Sequence, residues 1–231
     1  MYTDNKIISC EFCSRCWSNF KTLSAEEFEL INKNRYEASF KPSEIIIKQG
    51  SPSSNAIFLL SGLAKVYMEG YAGKNLILNL AGPKTLLAGP GVHVNSRYCY
   101  SVAAITHVQA CFINFDIIRN VISANPGFAE GFIEDLSEKA LKIQQKMLNL
   151  TQKKMHGRLA EALLYFSDSV FQSDEFEMVL SRQELGEMTN MAKESVVRII
   201  GEFENENIIH ATPRSVRILN REKLLVISEK G

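Results

Sequence analysis

The residues best suited to recognition chemistry lie in one stretch, 181–203, which reads SRQELGEMTNMAKESVVRIIGEF. Glu194 and Arg198 are four apart, so on a helix both project from one face. A carboxylate accepts a hydrogen bond from cytosine N4, and a guanidinium grips guanine O6 and N7 with two parallel bonds. The same spacing also makes an ordinary surface ion pair worth about 0.2–0.5 kcal/mol. The residues around the pair decide between these readings. Ser181 followed by Glu184 is a capping box, which starts a helix. Gly186 is small where two helices must cross closely, Asn190 accepts the left-handed conformation of a tight turn, and Val196 is apolar where a second helix packs back on the first. That is the geometry of a helix-turn-helix. The second helix then exposes Lys193, Glu194, Val197 and Arg198 and buries Val196, Ile199, Ile200 and Phe203. In this setting DNA reading outweighs the bare ion pair. Downstream, 207–210 and 217–219 read as two short strands around Thr212 to Ser215. This is a wing, with Arg214 and Arg217 placed to meet phosphate. Ser181, Arg182 and Ser195 are further candidates for the DNA backbone. Glu202, Glu204 and Glu206 fall beyond the reading end of the helix.

Sulfur offers a second chemistry. Cys10, Cys13 and Cys16 recur at every third residue, a dense thiolate set of the kind that binds an iron–sulfur centre or zinc. Five cysteines behind a polar start point away from a disulfide framework. The other reading is a tail whose cysteines bind zinc or nothing. Cys99 has no clear role beyond burial. Of the four histidines, His93 and His107 lie in a strand-rich region, while His156 and His210 lie far from it. No H-x-H pair exists to ligate a metal, which weakens an enzyme reading. Haem ligation by His93 or His107 is an alternative, although most lone histidines are structural or at the surface.

The elements that must position these residues emerge from the rest of the chain. Its 231 residues carry 26 basic and 26 acidic side chains, 45% hydrophobic residues and no apolar stretch approaching a membrane span. The start lacks the apolar core of a signal peptide, so the expected location is cytoplasmic, with no membrane partner. Residues 1–151 hold 15 basic and 13 acidic side chains, and 152–231 hold 11 and 13. Any nucleic-acid site must therefore be a local patch rather than a global field. Ser24 with Glu27 is another capping box, opening a helix over 23–36. Short β-prone runs follow at 44–48, 56–60, 64–68, 76–80, 101–104 and 108–113, joined by turns around Gly50, Gly62, Gly70 to Gly73, Gly82 and Gly89 to Gly91. That pattern predicts an antiparallel barrel or jelly roll. From Phe128 the period becomes helical. Ile133, Leu136, Ala140, Ile143, Met147 and Leu150 alternate at spacings of three and four. This reads as a dimer seam in preference to a helix lying on its own barrel. A hinge follows near Thr151, then a helix over 156–170 and a strand over 176–180. The expected organisation is a cysteine-rich segment (1–20), a sensing barrel (21–127), a dimerisation helix and hinge (128–151) and a winged helix-turn-helix domain (152–231). The fold class is α+β.

This order of elements, with SRQELGEM and KESVVRII in the reading segment and Arg158, Leu159 and Ala160 opening the last domain, resembles the Crp/Fnr transcription regulators. Gly50, Gly62 and Gly73 also fall where that family's barrel turns carry glycine. The resemblance implies a cyclic-nucleotide-binding-like barrel and base reading by Glu194 and Arg198, with Lys193 as an auxiliary contact. It implies double-stranded DNA, a second copy of the chain and RNA polymerase as partners. Ala192 departs from the Ser or Thr helix cap that relatives often carry. Relatives that bind cyclic AMP carry Gly-Glu-Leu and then Arg-Ser-Ala or Arg-Thr-Ala at the effector pocket. Here the matching stretches hold Gly89 and Gly91, then Arg97, Tyr98 and Tyr100. The Glu is missing, and Arg97 is out of register by about one residue, which turns it to the other strand face. Cyclic AMP is thus disfavoured, and another small effector takes its place. Fnr-type oxygen sensors pair three N-terminal cysteines with one at the end of the barrel. This implies Cys10, Cys13, Cys16 and Cys111 as ligands, although the N-terminal spacing here is tighter. The competing reading of Cys111 is a small buried hydrophobe in a strand. The expected function is a homodimeric regulator reading a palindromic site under control of an N-terminal effector. The rival is a metal- or cofactor-binding barrel enzyme whose C-terminal domain reads no specific DNA.

Overall fold

Short runs of hydrophobic residues organise the first half of the chain. In the computed structural model, which describes residues 17–87 and 94–231, they lie in strands β1 (Arg35–Phe40), β2 (Ile45–Ile47), β3 (Asn55–Ser61), β4 (Ala64–Glu69), β5 (Asn75–Ala81), β6 (Leu86–Leu87), β7 (Ser101–Ala104) and β8 (Val108–Asn114). The candidates Cys10, Cys13, Cys16, Gly89, Gly91 and His93 lie outside the described residues. The chain divides into two compact units, one formed by residues up to 64 with 81–139, the other by 65–80 with 140–231.

In the first unit, four strands form a sheet in the order β1-β8-β3-β6, and β2 pairs antiparallel with β7. Strand β3 is buried on both faces, which is why Ala56 to Leu60 is a continuous apolar run. Its alternate residues Ala56, Phe58 and Leu60 join Cys111 and Ile113 of β8 in one core, which helices cover from outside. The turn after β3 requires Gly62: its φ is +83°, and a Cβ there would lie 2.2 Å from the His107 carbonyl oxygen.

Helix α1 (Ala25–Lys33) starts at the expected box, with Ser24 Oγ accepting from Glu27 N and Glu27 accepting from Ser24 N. It ends earlier than the sequence pattern suggests. Arg35–Phe40 instead pairs along its whole length with β8, from Arg35 opposite Ile113 to Phe40 opposite Val108. Tyr36 stacks on Phe112, its cross-strand neighbour, with ring centroids 4.8 Å apart. Helix α2 (Phe115–Ala124), absent from the sequence expectations, follows β8 directly and is capped by Asn114. Trp17 fills the core between Phe58, Phe128 and Phe132, at centroid distances of 5.9, 5.7 and 6.1 Å.

Helix α3 (Pro126–Gln152) is the long helix. In the first unit Phe128 and Phe132 bury into the core and Leu136 packs against it. In the second unit the Lys146 ammonium donates to the Leu78 carbonyl at 2.9 Å, and burial pulls its pKa down to about 8. Of the expected seam, Ile133, Ala140, Ile143 and Met147 are exposed, whereas Leu136 and Leu150 are half-buried within the single chain. Leu141 and Leu148, outside the expected set, are exposed beside them. The free apolar stripe is therefore turned towards Leu141 and Leu148.

The second unit continues with α4 (Met155–Tyr165), a π-helical turn (Phe166–Phe171), β9 (Glu175–Glu177), α5 (Arg182–Thr189), α6 (Lys193–Asn205), β10 (Ile209–Ala211), β11 (Ser215–Ile218) and α7 (Arg221–Lys230). Leu159, Leu163, Leu164 and Phe166 are buried, as their helical spacing predicts. The regular helix stops at Tyr165, short of the expected 170, because its last turn widens into the π form. The strand expected over 176–180 is only Glu175–Glu177, since β11 offers it three partners and Met178 then bonds the Arg214 carbonyl. The sheet order is β10-β11-β9. Together the two units give an N-terminal β domain, a long helix and a C-terminal winged helix-turn-helix. Among the described residues no helix is long and apolar enough to cross a membrane.

Candidate nucleic-acid interface

The site begins with a helix start that short-range chemistry dictates. Ser181 Oγ accepts from Glu184 N at 3.2 Å, and Glu184 Oε2 accepts from Ser181 N at 2.8 Å. The other Glu184 oxygen pairs with Lys65 Nζ of β4 at 2.6 Å. Burial pushes the Glu184 carboxyl up, but Lys65 and Ser181 outweigh it and hold the group below its usual range. Helix α5 ends at Asn190, whose φ of 52° and ψ of 53° are left-handed. The chain then closes with Met191 N donating to Gly186 O at 2.9 Å. A Cβ on Gly186 would stand 2.5 Å from the Met191 oxygen, so the close crossing needs glycine. Arg158 Nη1 donates to the carbonyls of Thr189 and Asn190 at 3.0 and 3.1 Å, clamping the turn from α4.

Helix α6 starts at Ala192 without a side-chain cap. Val196, Ile199, Ile200 and Phe203 are buried, and Lys193, Glu194, Val197 and Arg198 are exposed, matching the sequence expectation at all eight positions. Lys193 and Glu194 have no ion-pair or hydrogen-bond partner among the described residues. The ion pair open to Arg198 on sequence grounds was Glu194, four residues before it. The observed partner is Glu202, four residues after it, with Arg198 Nη1 to Glu202 Oε1 at 2.5 Å. Glu202 also accepts from His156 Nε2 of α4 at 2.6 Å. His156 first, and then Arg198, hold the Glu202 carboxyl below its usual range against the opposing effect of burial. Glu202 is thus tied to a base-reading candidate and is not an idle acid beyond the helix end. Glu204 accepts from Ala211 N at 3.0 Å and Glu206 pairs with Lys223 at 2.7 Å, so both serve the packing of the wing and α7.

The backbone-contact candidates fall into two groups. Arg214 is exposed at the wing tip, and its guanidinium has no partner among the described residues. The turn beneath it is fixed by Thr212, whose Oγ1 accepts from Ser215 N at 2.9 Å. Arg217 on β11 is bound bidentately by Glu175 of β9, at 2.9 and 2.8 Å. That acid opposite it was not anticipated, because the β9–β11 register is not visible in the sequence. Arg182 is half-buried and donates to the Thr212 carbonyl at 3.2 Å, which ties α5 to the wing. Burial lowers its pKa, with Glu204 opposing. Ser181 is exposed within its capping box, and Ser195 is half-buried. Ion pairs between exposed side chains such as Arg217 and Glu175 are weak in water, so a phosphate can compete for the guanidinium.

The effector candidates are placed as follows. Arg97 is exposed and donates from Nη1 to the Gly50 carbonyl at 2.6 Å. Tyr98 is buried, and its hydroxyl donates to the Asn55 carbonyl at 2.7 Å. Burial raises the Tyr98 phenol, with the Asn55 bond opposing, and raises the half-buried Tyr100 phenol strongly. Cys99 is exposed, contrary to the burial expected of it, and Cys111 is buried. The Cys111 sulfur receives a long contact from Arg35 Nη1 at 4.0 Å. Among the described residues no group of three His, Cys, Asp or Glu side chains is gathered as metal ligands.

Comparison with known proteins yields two domain families. Residues 37–125 match the cyclic nucleotide-binding domain, and residues 157–227 match the Crp-like helix-turn-helix domain. The transcriptional activator protein anr of Pseudomonas aeruginosa is 25% identical over 204 residues, covering 87% of this chain and 82% of that protein. The cAMP-activated global transcriptional regulator CRP of Haemophilus influenzae is 24% identical over 175 residues, covering 74% of this chain and 78% of that protein. Among solved structures, a Crp/Fnr-family transcriptional regulator from Eubacterium rectale superposes with a TM-score of 0.77 at 15% identity, covering 92% of this chain and 98% of that one.

Proposed function

We propose, from the premise that the chain belongs to the Crp/Fnr family of transcription regulators, that it binds a palindromic DNA site as a homodimer, with α6 in the major groove. One observation carries this reading. Lys193, Glu194 and Arg198 are exposed together on the first turns of a helix whose opposite side is fully buried. Glu194 and Arg198 read base edges with Lys193 beside them, while Arg214 meets phosphate. Ser181, Arg182, Ser195 and Arg217 complete the backbone contacts. The homodimer forms along the apolar stripe of α3. Two recognition helices related by its two-fold axis enter successive major grooves about 34 Å apart. With so few free cations, charge-driven binding to random sequence is weak, and preference rests on the base contacts. RNA polymerase is the downstream partner, and the setting is the cytoplasm. Selection of bound duplexes from a random pool tests the reading. The expected product is an inverted repeat with half-site centres about one helical turn apart. A single unrepeated motif, or no enrichment, refutes it.

For the signal, the proposal is an iron–sulfur centre held by Cys10, Cys13, Cys16 and Cys111. Two observations around Cys111 fit a thiolate ligand. Trp17, the residue after Cys16, packs on Phe58, and Phe58 pairs directly with Cys111 across the sheet. The buried Arg35 guanidinium, paired with Glu37 at 2.6 Å, also approaches the Cys111 sulfur at 4.0 Å, so the sulfur sits beside polar groups within the core. When bound, such a centre supplies sensitivity to oxygen or redox state. The chain's own part is to hold Cys111 rigidly inside the core that also seats Phe128 and Phe132 of the long helix. Cyclic AMP is disfavoured as the signal because the sequence at 88–91 carries no carboxylate and Arg97 is occupied by the Gly50 carbonyl. Purification without oxygen, followed by iron and acid-labile sulfide analysis, tests this. Iron with sulfide in wild type, lost in Cys111→Ala, is expected. Zinc alone, or neither element after anaerobic reconstitution, overturns it.

A further inference from the structure

Arg198 has a carboxylate four residues away on each side, Glu194 before it and Glu202 after it. On a bare helix these two compete for one guanidinium, and the arrangement with the acid N-terminal to the cation is the better of the two. Glu194 should therefore hold Arg198. In the folded domain Glu202 holds it at 2.5 Å, and Glu194 has no partner among the described residues. The tie is broken from outside the helix. His156 of α4 bonds the second Glu202 oxygen at 2.6 Å, and its ring rests near Phe203, centroid to centroid 6.0 Å, on the buried side of α6. With one oxygen fixed, the Glu202 carboxylate has its other oxygen set towards Arg198 at no further cost in side-chain freedom.

We propose that His156 and Glu202 are positioning residues for base reading: His156 anchors Glu202, and Glu202 draws the Arg198 guanidinium away from Glu194, so that both readers meet DNA uncompensated by each other. The inference rests on the assignment of Glu194 and Arg198 as readers. If the two paired, the carboxylate would lose acceptor capacity for a cytosine amine and the guanidinium would lose part of its fork for guanine. Glu202 removes only one donor of five from Arg198 and lies one turn further along the helix.

The test is binding of full-length protein to the selected duplex and to every single-base variant of it, alongside non-specific DNA. Glu202→Gln and His156→Ala are each expected to reduce preference about tenfold at the base pairs read by Arg198 and Glu194. Affinity for non-specific DNA should stay the same or rise slightly, because Glu202→Gln removes an acid near phosphate. Adding Glu194→Gln to Glu202→Gln should restore preference at the Arg198 base pair, since the competing carboxylate is gone. A purely structural role predicts equal losses on all sequences and no such rescue. Thermal melts confirm that each variant is folded, and Glu202→Gln, a half-exposed and nearly isosteric change, gives a reading even where His156→Ala unfolds. Unchanged preference in folded Glu202→Gln, or failure of the second substitution to restore it, overturns the inference. Arg198→Ala separates the two layers: if it leaves preference intact at every position, the reader assignment itself has failed.

Discussion

Replacing Arg198 by alanine abolishes preference at one base pair in each half-site, at a cost of about 1–3 kcal/mol per half-site, and leaves binding to unrelated sequences nearly unchanged. The first part follows from the geometry of a guanidinium on guanine, where two parallel hydrogen bonds are lost and the base edge is left without partners. In a symmetric dimer the loss occurs twice, so the full site weakens by about 30- to 25,000-fold. The second part follows from the assignment of Arg198 to a base edge: binding to unrelated sequences rests on phosphate contacts, and the single charge lost, which leaves Glu202 to His156 alone, is screened by salt beyond about 10 Å. Arg214→Ala is the informative contrast. Arg214 is an exposed cation without a partner among the described residues, on a turn locked by Thr212. Its loss weakens all sequences about equally and lowers the salt slope by about one per protomer. Fluorescence anisotropy on the selected duplex, its single-base variants and a scrambled duplex, each at several salt concentrations, separates the two behaviours. An Arg198→Ala protein that loses affinity uniformly would place Arg198 on phosphate.

The helix-turn-helix was legible because everything that makes it is local. A capping box spans four residues, the left-handed residue and the small crossing residue lie within one turn of each other, and the burial pattern of α6 follows from a period of 3.6. What was hidden is non-local. Arg35–Phe40 extends no helix because it pairs with a strand about seventy residues away, and only the register with β8 reveals it. The Glu175 that occupies Arg217 depends on the β9–β11 pairing. The choice between Glu194 and Glu202 depends on His156, which stands at the start of a different helix. The long helix shows a third kind of limit. Its heptad spacing is plain in the sequence, but spacing fixes a period and not which face the chain's own first domain already uses. Leu136 is spent on the core of Phe128 and Phe132, which moves the free stripe round the helix.

That rotation leads to the second large effect. Leu148→Glu is expected to turn the dimer into a monomer at micromolar concentration, while Leu136→Glu is expected to unfold the first unit. Leu148 is 44% exposed in the single chain, with Leu141 and Met147 at 65% and 63%, so a carboxylate at 148 costs the monomer's fold little. In a two-fold interface each substitution counts twice. Losing the burial of two leucines removes about 3–6 kcal/mol, and facing carboxylates add repulsion. Dimer dissociation should therefore strengthen by about 10²–10⁴-fold, with a mid-point that sedimentation equilibrium can read. DNA binding provides a second measurement. A monomer keeps its α6 and its contacts to one half-site but forfeits the gain from linking two, so the palindrome should bind no better than a half-site. Leu136, packed against the core, lacks this freedom, and its charged variant should show a lowered melting temperature before any change in assembly. A Leu148→Glu protein that remains dimeric with undiminished palindrome affinity would mean the two copies meet elsewhere. In that case the spacing of the half-sites recovered by selection becomes the constraint from which the true two-fold axis must be placed.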